Sequence, residues 1–158
     1  MVPASWSNPR SRLLRLGRYS LPGGVYLVTF TTYRRQCLFS GFDASCLASR
    51  TLANASNWPH ARLLAWVLMP DHWHGLIELQ GNESLARCIS RAKSAATRQW
   101  NRERSAAGSL WAPGFHDHSL RHGESLTDCA RYIVLNPVRA GLVHRCGDYP
   151  FWDAVWLP

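Results

Sequence analysis

The chain has 158 residues, of which 46% are hydrophobic, and its formal net charge is +8 at pH 7. Its length predicts one domain with a sizeable core rather than two, and no apolar run approaches the ~18 residues of a membrane span, which predicts a soluble protein. The charge comes from 17 arginines and one lysine against 10 acidic residues, a balance that favours a polyanionic partner because guanidinium groups suit phosphate oxygens.

The chain begins with a basic segment. It contains Arg10, Arg12, Arg15 and Arg18, whereas the first acidic residue is Asp43. We expect residues 1–18 to form an arm that contacts nucleic acid. A turn signal follows at residues 22–24, and the β-branched and aromatic run over 25–31 predicts the first strand.

A helix and a pair of strands are predicted next. The pattern of residues 43–57 is helical and ends before Pro59. Residues 63–69 are mostly apolar, which predicts a central strand. Because Pro70 occupies the second position of a tight turn, this strand should form a hairpin with a strand over 72–79.

The second half of the chain predicts two helices and one short strand. Asn82 is a candidate cap for a long helix that reaches about Arg104 and has a basic outer face. Residues 115–121 predict a short edge strand, and Ser125 with Asp128 gives a capping-box-like start for the last helix. This order of elements predicts an α+β fold with an antiparallel sheet.

The five cysteines do not form a paired motif. They stand at positions 37, 46, 88, 129 and 146, which is typical of reduced thiols in a cytosolic protein and lacks the CxxC pairs of a zinc knuckle.

Two histidines open the strand over 72–79. Side chains two residues apart on a strand point to the same face, so His72 and His74 project together while Trp73 points away. This arrangement predicts two of the ligands of a metal site.

A tyrosine and an asparagine in the last helix are candidates to complete it. Tyr132 and Asn136 are four residues apart and share a helix face, which brings together a potential nucleophile and an oxygen ligand. Two histidines, an amide and a tyrosine suggest DNA-strand transfer. Taken singly, Tyr132 also fits a packing role and Asn136-Pro137 also fits a helix end.

Other interpretations of the histidines stay open at this point. Glu78 follows His74 by four residues, so a cupin-like metal oxygenase with two histidines and a carboxylate is one alternative. A core role for His72 and His74 is another. His116 and His118 form a second pair. These two residues either support the metal site or contact a phosphate, or they simply belong to a surface strand.

Four ordered segments resemble the single-tyrosine HUH transposases, and most closely the REP-associated tyrosine transposases of bacteria. They cover residues 19–29, 65–74, 111–121 and 131–143 and read YSLPGGVYLVT, AWVLMPDHWH, WAPGFHDHSLR and RYIVLNPVRAGLV. The resemblance extends over nearly the whole chain from residue 19, and four blocks in order are far more specific than a histidine pair alone.

The resemblance implies a fold and a site. The fold would be a ferredoxin-like or palm-type antiparallel β-sheet packed with α-helices, with domain bounds of 19–150, a basic arm over 1–18 and a C-terminal tail over 151–158. His72, His74 and Asn136 would hold Mg²⁺ or Mn²⁺, and Tyr132 would be the nucleophile. The implied activity is cleavage of single-stranded DNA at or near REP-type hairpins through a 5′-phosphotyrosine intermediate.

The remaining candidates concern DNA binding and cellular context. For phosphate contact we select Arg34, Arg35, Arg121, Arg131 and Arg139; for stacking on unpaired bases we select Tyr26, Tyr33 and Trp111. We expect a cytoplasmic, nucleoid-associated protein that acts as a monomer or homodimer on single-stranded DNA hairpins. The rival hypothesis is a domesticated, non-cleaving protein that binds hairpin nucleic acid.

Overall fold

The computed structural model describes residues 20–156, which form a five-stranded antiparallel sheet with helices on both faces. The strands are β1 (Val25–Thr31), β2 (Ala61–Met69), β3 (His72–Leu79), β4 (His116–Ser119) and β5 (Trp152–Ala154), in the spatial order β4-β1-β3-β2-β5. The helices are α1 (Phe42–Ala53), α2 (Leu85–Arg104), α3 (Leu126–Val134) and α4 (Asn136–Arg139). The predicted α+β class and antiparallel sheet are confirmed.

The hairpin of β2 and β3 lies at the centre of the sheet, as predicted. Met69 pairs with His72 across the turn. Thr32 fixes this turn from the end of β1, because its backbone N–H and its hydroxyl both donate to the carbonyl of Asp71, at 2.8 and 3.1 Å. Since Thr32 is fully buried, these hydrogen bonds are shielded from water and hold the start of β3 in place.

One sheet face packs against α1 and α2 through aromatic side chains. Trp73 is fully buried and stacks on Phe30 and Trp58, with ring centroids 4.9 and 6.0 Å apart. The indole lies against Gly75, two residues along the same strand, where an added Cβ would overlap the six-membered ring. A strand glycine here marks the close approach of another group.

The other sheet face packs against α3. Ala130 and Ile133 of this helix join a buried cluster with the sheet residues Leu27, Val67 and Leu76. Because Leu76 shares its strand face with His74 and His72, the two histidines continue the row that α3 covers. The site therefore lies on the face opposite to α1 and α2.

Two helices differ from the prediction at their ends. The first ends at Ala53 rather than at residue 57, and a 3₁₀ turn over Ala55–Asn57 follows, in which the Asn54 side chain accepts from the Ser56 N–H at 3.0 Å. Ser84, not Asn82, caps α2 by accepting from the N–H of Arg87 at 3.3 Å. In both places a local side-chain hydrogen bond to the backbone decides the boundary.

Trp152–Ala154 forms the edge strand β5, which the sequence pattern does not predict. It pairs with β2, with Ala154 opposite Ala65. Three of the residues assigned to a C-terminal tail over 151–158 are thus part of the sheet, whereas the predicted basic arm over 1–18 lies outside the described residues. Among residues 20–156, no helix is long and apolar enough to span a membrane.

Candidate metal and nucleophile site

His72 and His74 lie side by side at the start of β3. Both are half-buried, and their ring centroids are 4.7 Å apart with the planes nearly perpendicular. The prediction that they share one face is confirmed. Two imidazoles at this separation are close enough to bind a common ion.

The Nδ1 atom of each histidine already has a protein partner. His74 Nδ1 lies 2.6 Å from Oγ1 of Thr29, the residue on β1 with which His74 pairs. His72 Nδ1 lies 2.5 Å from Oδ1 of Asp71. Within residues 20–156, neither Nε2 atom takes part in a hydrogen bond. Metal-binding histidines usually hydrogen bond through one ring nitrogen and ligate through the other, and these two rings fit that arrangement through Nε2.

The surroundings of His74 favour its neutral imidazole. Burial, together with the nearby positive charge of Arg139, lowers the pKa of His74 to about 3. Burial opposes ionisation of Asp71, but hydrogen bonds from His72 and Arg35 outweigh it and hold the pKa of this carboxyl below its usual range. At neutral pH, His74 is therefore uncharged, as a metal ligand must be.

Asn136 supplies a buried amide at the first residue of α4. Among the described residues, its Nδ2 atom is buried without a hydrogen-bond partner, and α4 packs against β2 beside the histidine-bearing strand. An amide turned by 180° exchanges its oxygen and nitrogen without changing its packing. A cation would satisfy the oxygen at this buried position, so the residue fits the predicted third ligand.

Tyr132 lies in the last turn of α3 and is half-buried. The guanidinium carbon of Arg139 lies 3.9 Å from the centroid of its ring, and Nη1 of Arg139 donates to the Tyr132 carbonyl at 2.8 Å. The same arginine is near enough to His74 to lower its pKa. Arg139 therefore connects the predicted nucleophile with the histidine pair.

Tyr132 and Asn136 lie in two helices, not in the one continuous helix that their spacing predicts. The first helix ends at Val134 and the next begins at Asn136, with Leu135 between them at φ −84° and ψ 0°. Pro137 has no N–H, so the chain cannot form the hydrogen bond that would continue α3. The prediction that Ser125 starts this helix is confirmed, because its hydroxyl accepts from the Asp128 N–H at 3.2 Å.

Two of the three predicted base-stacking residues lie in the core. Tyr26 is 7% exposed and its hydroxyl accepts from the Leu21 N–H at 3.2 Å, whereas Trp111 is 2% exposed and packs edge-on against Phe30. Neither ring presents a face to solvent, so we do not retain them as stacking residues. Tyr33 is 43% exposed, with the Arg34 guanidinium 5.3 Å from its ring.

The five arginines selected for phosphate contact are all exposed. Arg35 forms an ion pair with Asp71 at 3.1 Å, and Arg131 forms one with Asp128 at 2.9 Å. Arg34 and Arg35 both have left-handed backbones, with φ of 56° and 54°. The Arg131–Asp128 pair is exposed on both sides, and exposed ion pairs are weak, so Arg131 can exchange its carboxylate for a phosphate at small cost.

The second histidine pair lies on β4 at the edge of the sheet. His116 pairs with Thr29, which also pairs with His74 on its other side, so all three share one sheet face. His118 lies 3.2 Å from Oε1 of Glu124. His116 is thus separated from the histidines of the candidate site by one strand, β1.

The cupin-like alternative does not fit the geometry. Glu78 lies on the same face of β3 as His74, but four strand residues separate their Cα atoms by about 13 Å. Within residues 20–156, no group of three histidine, cysteine or carboxylate side chains is arranged to hold a metal. The predicted third ligand, the amide of Asn136, is of another residue type.

Two residues that contact the histidines, Asp71 and Thr29, are not among the site residues predicted from the sequence. Asp71 is adjacent to His72 in the turn, so the sequence contained a signal for it. Thr29 is 45 positions from His74, and only the pairing register of β1 with β3 brings the two together.

Comparison with known proteins places these features in a family. The family described as Transposase IS200 like matches residues 24–136. The chain is 24% identical over 135 residues to the REP-associated tyrosine transposase of Escherichia coli K12, a match that covers 85% of this chain and 78% of the relative. It is 27% identical over 139 residues to a putative REP-associated tyrosine transposase of Haemophilus influenzae, covering 82% of this chain and 78% of that protein.

Two solved structures have a similar fold. A REP-associated tyrosine transposase bound to a REP hairpin superposes with a TM-score of 0.68 and 24% identity, covering 85% of this chain and 79% of the other. A putative transposase from Deinococcus radiodurans gives a TM-score of 0.51 and 21% identity, covering 74% of this chain and 93% of the other.

Proposed function

This chain belongs to the IS200-like transposase family, and from that premise we propose that it is a metal-dependent endonuclease and strand transferase for single-stranded DNA at or near REP-type hairpins. The observation that carries the proposal is the histidine pair, in which both Nδ1 atoms are engaged and both Nε2 atoms are left for a ligand. The same sheet face is covered by α3, which carries Tyr132.

The residues that would hold the metal are His72, His74 and Asn136. Two imidazoles and an amide oxygen accept Mg²⁺ or Mn²⁺, and the imidazoles tilt the preference toward Mn²⁺. When bound, the ion would polarise the scissile phosphate and lower the barrier to attack by an oxygen nucleophile.

Tyr132 would carry out the covalent step. Its phenolic oxygen attacks the phosphorus in line, a phosphorus–oxygen bond to Tyr132 forms, and the bond from phosphorus to the 3′ oxygen breaks. The phenol loses its proton and the leaving 3′ oxygen gains one, which gives a 5′-phosphotyrosine and a free 3′-hydroxyl. Because the phosphotyrosine conserves the energy of the broken bond, rejoining requires no ATP.

Arg139 is well placed to assist this step. Its guanidinium lies over the Tyr132 ring and bonds to the carbonyl of the same residue, so it limits the positions that the phenol can adopt. A positive charge at this place would also stabilise the additional negative charge on the phosphate as the reaction proceeds.

REP-type hairpins are the proposed substrate because a structurally similar transposase has been solved with a REP hairpin bound. The net charge of +8 and the exposed arginines support a nucleic-acid substrate. Cytoplasmic localisation, association with the nucleoid and action as a monomer or homodimer stay predictions.

The test is incubation of the wild-type protein with labelled single-stranded hairpin DNA from the flanks of its own gene. We expect a covalent protein–DNA adduct on a denaturing gel with Mn²⁺ and none with EDTA. Tight binding without an adduct would contradict the proposal and favour a domesticated, non-cleaving hairpin binder. Neither binding nor cleavage would reject both functions.

Removing two exposed arginines should change the salt dependence of binding. We expect the double variant Arg34→Gln, Arg121→Gln to bind the hairpin more weakly, with the slope of log affinity against log salt reduced by roughly 1.4, or about 0.7 per lost contact with single-stranded DNA. The measurement is a fluorescence-anisotropy titration at several salt concentrations.

The matched control for this prediction is Arg98→Gln. Arg98 is exposed on α2, which packs on the opposite sheet face, so its loss should leave the slope nearly unchanged. A double variant with the wild-type slope would refute the assignment of Arg34 and Arg121 to phosphate contact.

A further inference from the structure

Three polar side chains, those of Arg35, Asp71 and His72, are linked by hydrogen bonds at the turn between β2 and β3. Arg35 donates from Nη1 to Oδ2 of Asp71 at 3.1 Å, and Oδ1 of Asp71 lies 2.5 Å from Nδ1 of His72. We propose that Asp71, held by Arg35, is a positioning residue that keeps a proton on Nδ1 of His72 and so presents the lone pair of Nε2 to a divalent cation. The inference rests on the proposed function for the presence of that cation.

The backbone of the turn holds Asp71 in place. Its carbonyl accepts two hydrogen bonds from Thr32, and the carbonyl of Pro70 accepts one from the Phe39 N–H at 3.0 Å. Because Thr32 is fully buried, the turn cannot exchange these bonds for water without disturbing the core. The carboxylate therefore projects from a fixed point.

The segment that supplies Arg35 has an unusual backbone. Arg34 and Arg35 both have positive φ, of 56° and 54°, which costs free energy in residues with a Cβ. Hydrogen bonds from the N–H of Arg35 to Thr32 at 3.0 Å and from the N–H of Gln36 to Tyr33 at 3.4 Å maintain this conformation. The tight turn brings the Arg35 guanidinium back to Asp71.

The two oxygen partners of the histidines differ in chemistry. A threonine hydroxyl both donates and accepts, so Thr29 is compatible with either tautomer of His74. An ionised carboxylate only accepts, and the Arg35 guanidinium that donates to Oδ2 of Asp71 at 3.1 Å favours the ionised form. Asp71 therefore requires Nδ1 of His72 to be the donor, which leaves Nε2 as the acceptor in the neutral ring.

The variant Asp71→Asn tests this role because Arg35 has only donors. The amide oxygen of the new side chain should face Arg35, which turns its NH₂ group toward Nδ1 of His72. Nδ1 can then only accept, so the ring proton moves to Nε2 and blocks the lone pair needed by the metal. Removing Arg35 as well frees the amide to turn round and accept from Nδ1 again.

Manganese affinity, measured by electron paramagnetic resonance of free Mn²⁺ without DNA, gives a readout independent of cleavage. We expect Asp71→Asn to weaken binding roughly 10- to 100-fold, the usual effect of losing an outer-shell partner. The double variant Asp71→Asn, Arg35→Ala should regain roughly two- to fivefold of the lost Mn²⁺ affinity. The amide is then no longer held by Arg35, and the recovery is small because a contact with an exposed guanidinium is weak. Equal affinity in wild type and Asp71→Asn would overturn the inference.

The controls are Asp43→Asn on α1 and Arg98→Ala on α2, which remove the same charges away from the turn and should leave Mn²⁺ affinity unchanged. Thermal melting checks that each variant folds. A double variant no tighter than Asp71→Asn would contradict the role given to Arg35.

Nitrogen-15 NMR of the metal-free wild type separates this inference from the proposed function and does not depend on any variant folding. We expect the neutral His72 ring to have its proton on Nδ1; a proton on Nε2 would refute the positioning role whatever the metal affinity. Wild-type protein with that tautomer but without Mn²⁺ binding would instead reject the metal-dependent function.

Discussion

Replacement of Tyr132 by Phe is expected to abolish the covalent protein–DNA adduct while DNA binding persists. The change removes the single oxygen atom that would attack the phosphate. The phenylalanine ring keeps its place in α3 and its contact with the Arg139 guanidinium, since the face of Phe also attracts a cation. The measurement is adduct yield on a denaturing gel, alongside a binding titration of the same preparation.

Tyr149→Phe is the matched control, because it removes one phenolic oxygen elsewhere. The Tyr149 hydroxyl donates to the Leu68 carbonyl at 2.6 Å, and burial raises its pKa to about 12. This tyrosine is thus a poor nucleophile with a structural role, and its loss should cost about 1 kcal/mol of stability without affecting the adduct. An adduct that survives Tyr132→Phe, or disappears with Tyr149→Phe, would show that Tyr132 has been misassigned.

Replacement of Gly75 by Ala should destabilise the protein by about 3 kcal/mol, the upper end of the usual effect of overpacking. The new methyl group would overlap the Trp73 indole. That ring is fully buried and stacks on Phe30 and Trp58, so it cannot move aside without disturbing these contacts. At this chain length the loss corresponds to a fall in Tm of roughly 6–12 °C, measured by circular dichroism or calorimetry.

Gly147→Ala provides the comparison. An added Cβ at Gly147 meets no atom within 4 Å, so we expect its effect to stay within about 0.5 kcal/mol. If Gly75→Ala melted with the wild type, the core would be more adaptable than the packing around Trp73 implies. Because Trp73 lies between His72 and His74, Gly75→Ala should also weaken Mn²⁺ binding in the fraction that remains folded.

The common face of the two histidines is predictable from the sequence because it depends only on neighbouring residues of one strand. Alternation along one strand is enough to place His72 and His74 together and Trp73 opposite. Capping by Ser125 depends on residues three apart, so the start of α3 was also predictable. The family resemblance added roles for Tyr132 and Asn136, which those local patterns alone left open.

The burial of the aromatic residues could not be predicted in the same way. Tyr26 and Trp111 have the composition of base-stacking residues, yet both pack in the core. Which aromatic side chain is covered depends on the helices that pack over the sheet, and this is decided by contacts between distant segments. Tyr33, two residues after the end of β1, is exposed.

The sequence by itself determined the strands β1 to β3, the hairpin at Pro70, the common face of the histidines and the family of the protein. Only the tertiary structure decided that Thr29 binds His74, that Arg35 reaches Asp71, that β5 completes the sheet and that Arg139 covers Tyr132. Periodicity and turn chemistry act over a few residues and are readable from the chain. Strand register and helix packing join positions far apart, and their outcome depends on the whole core.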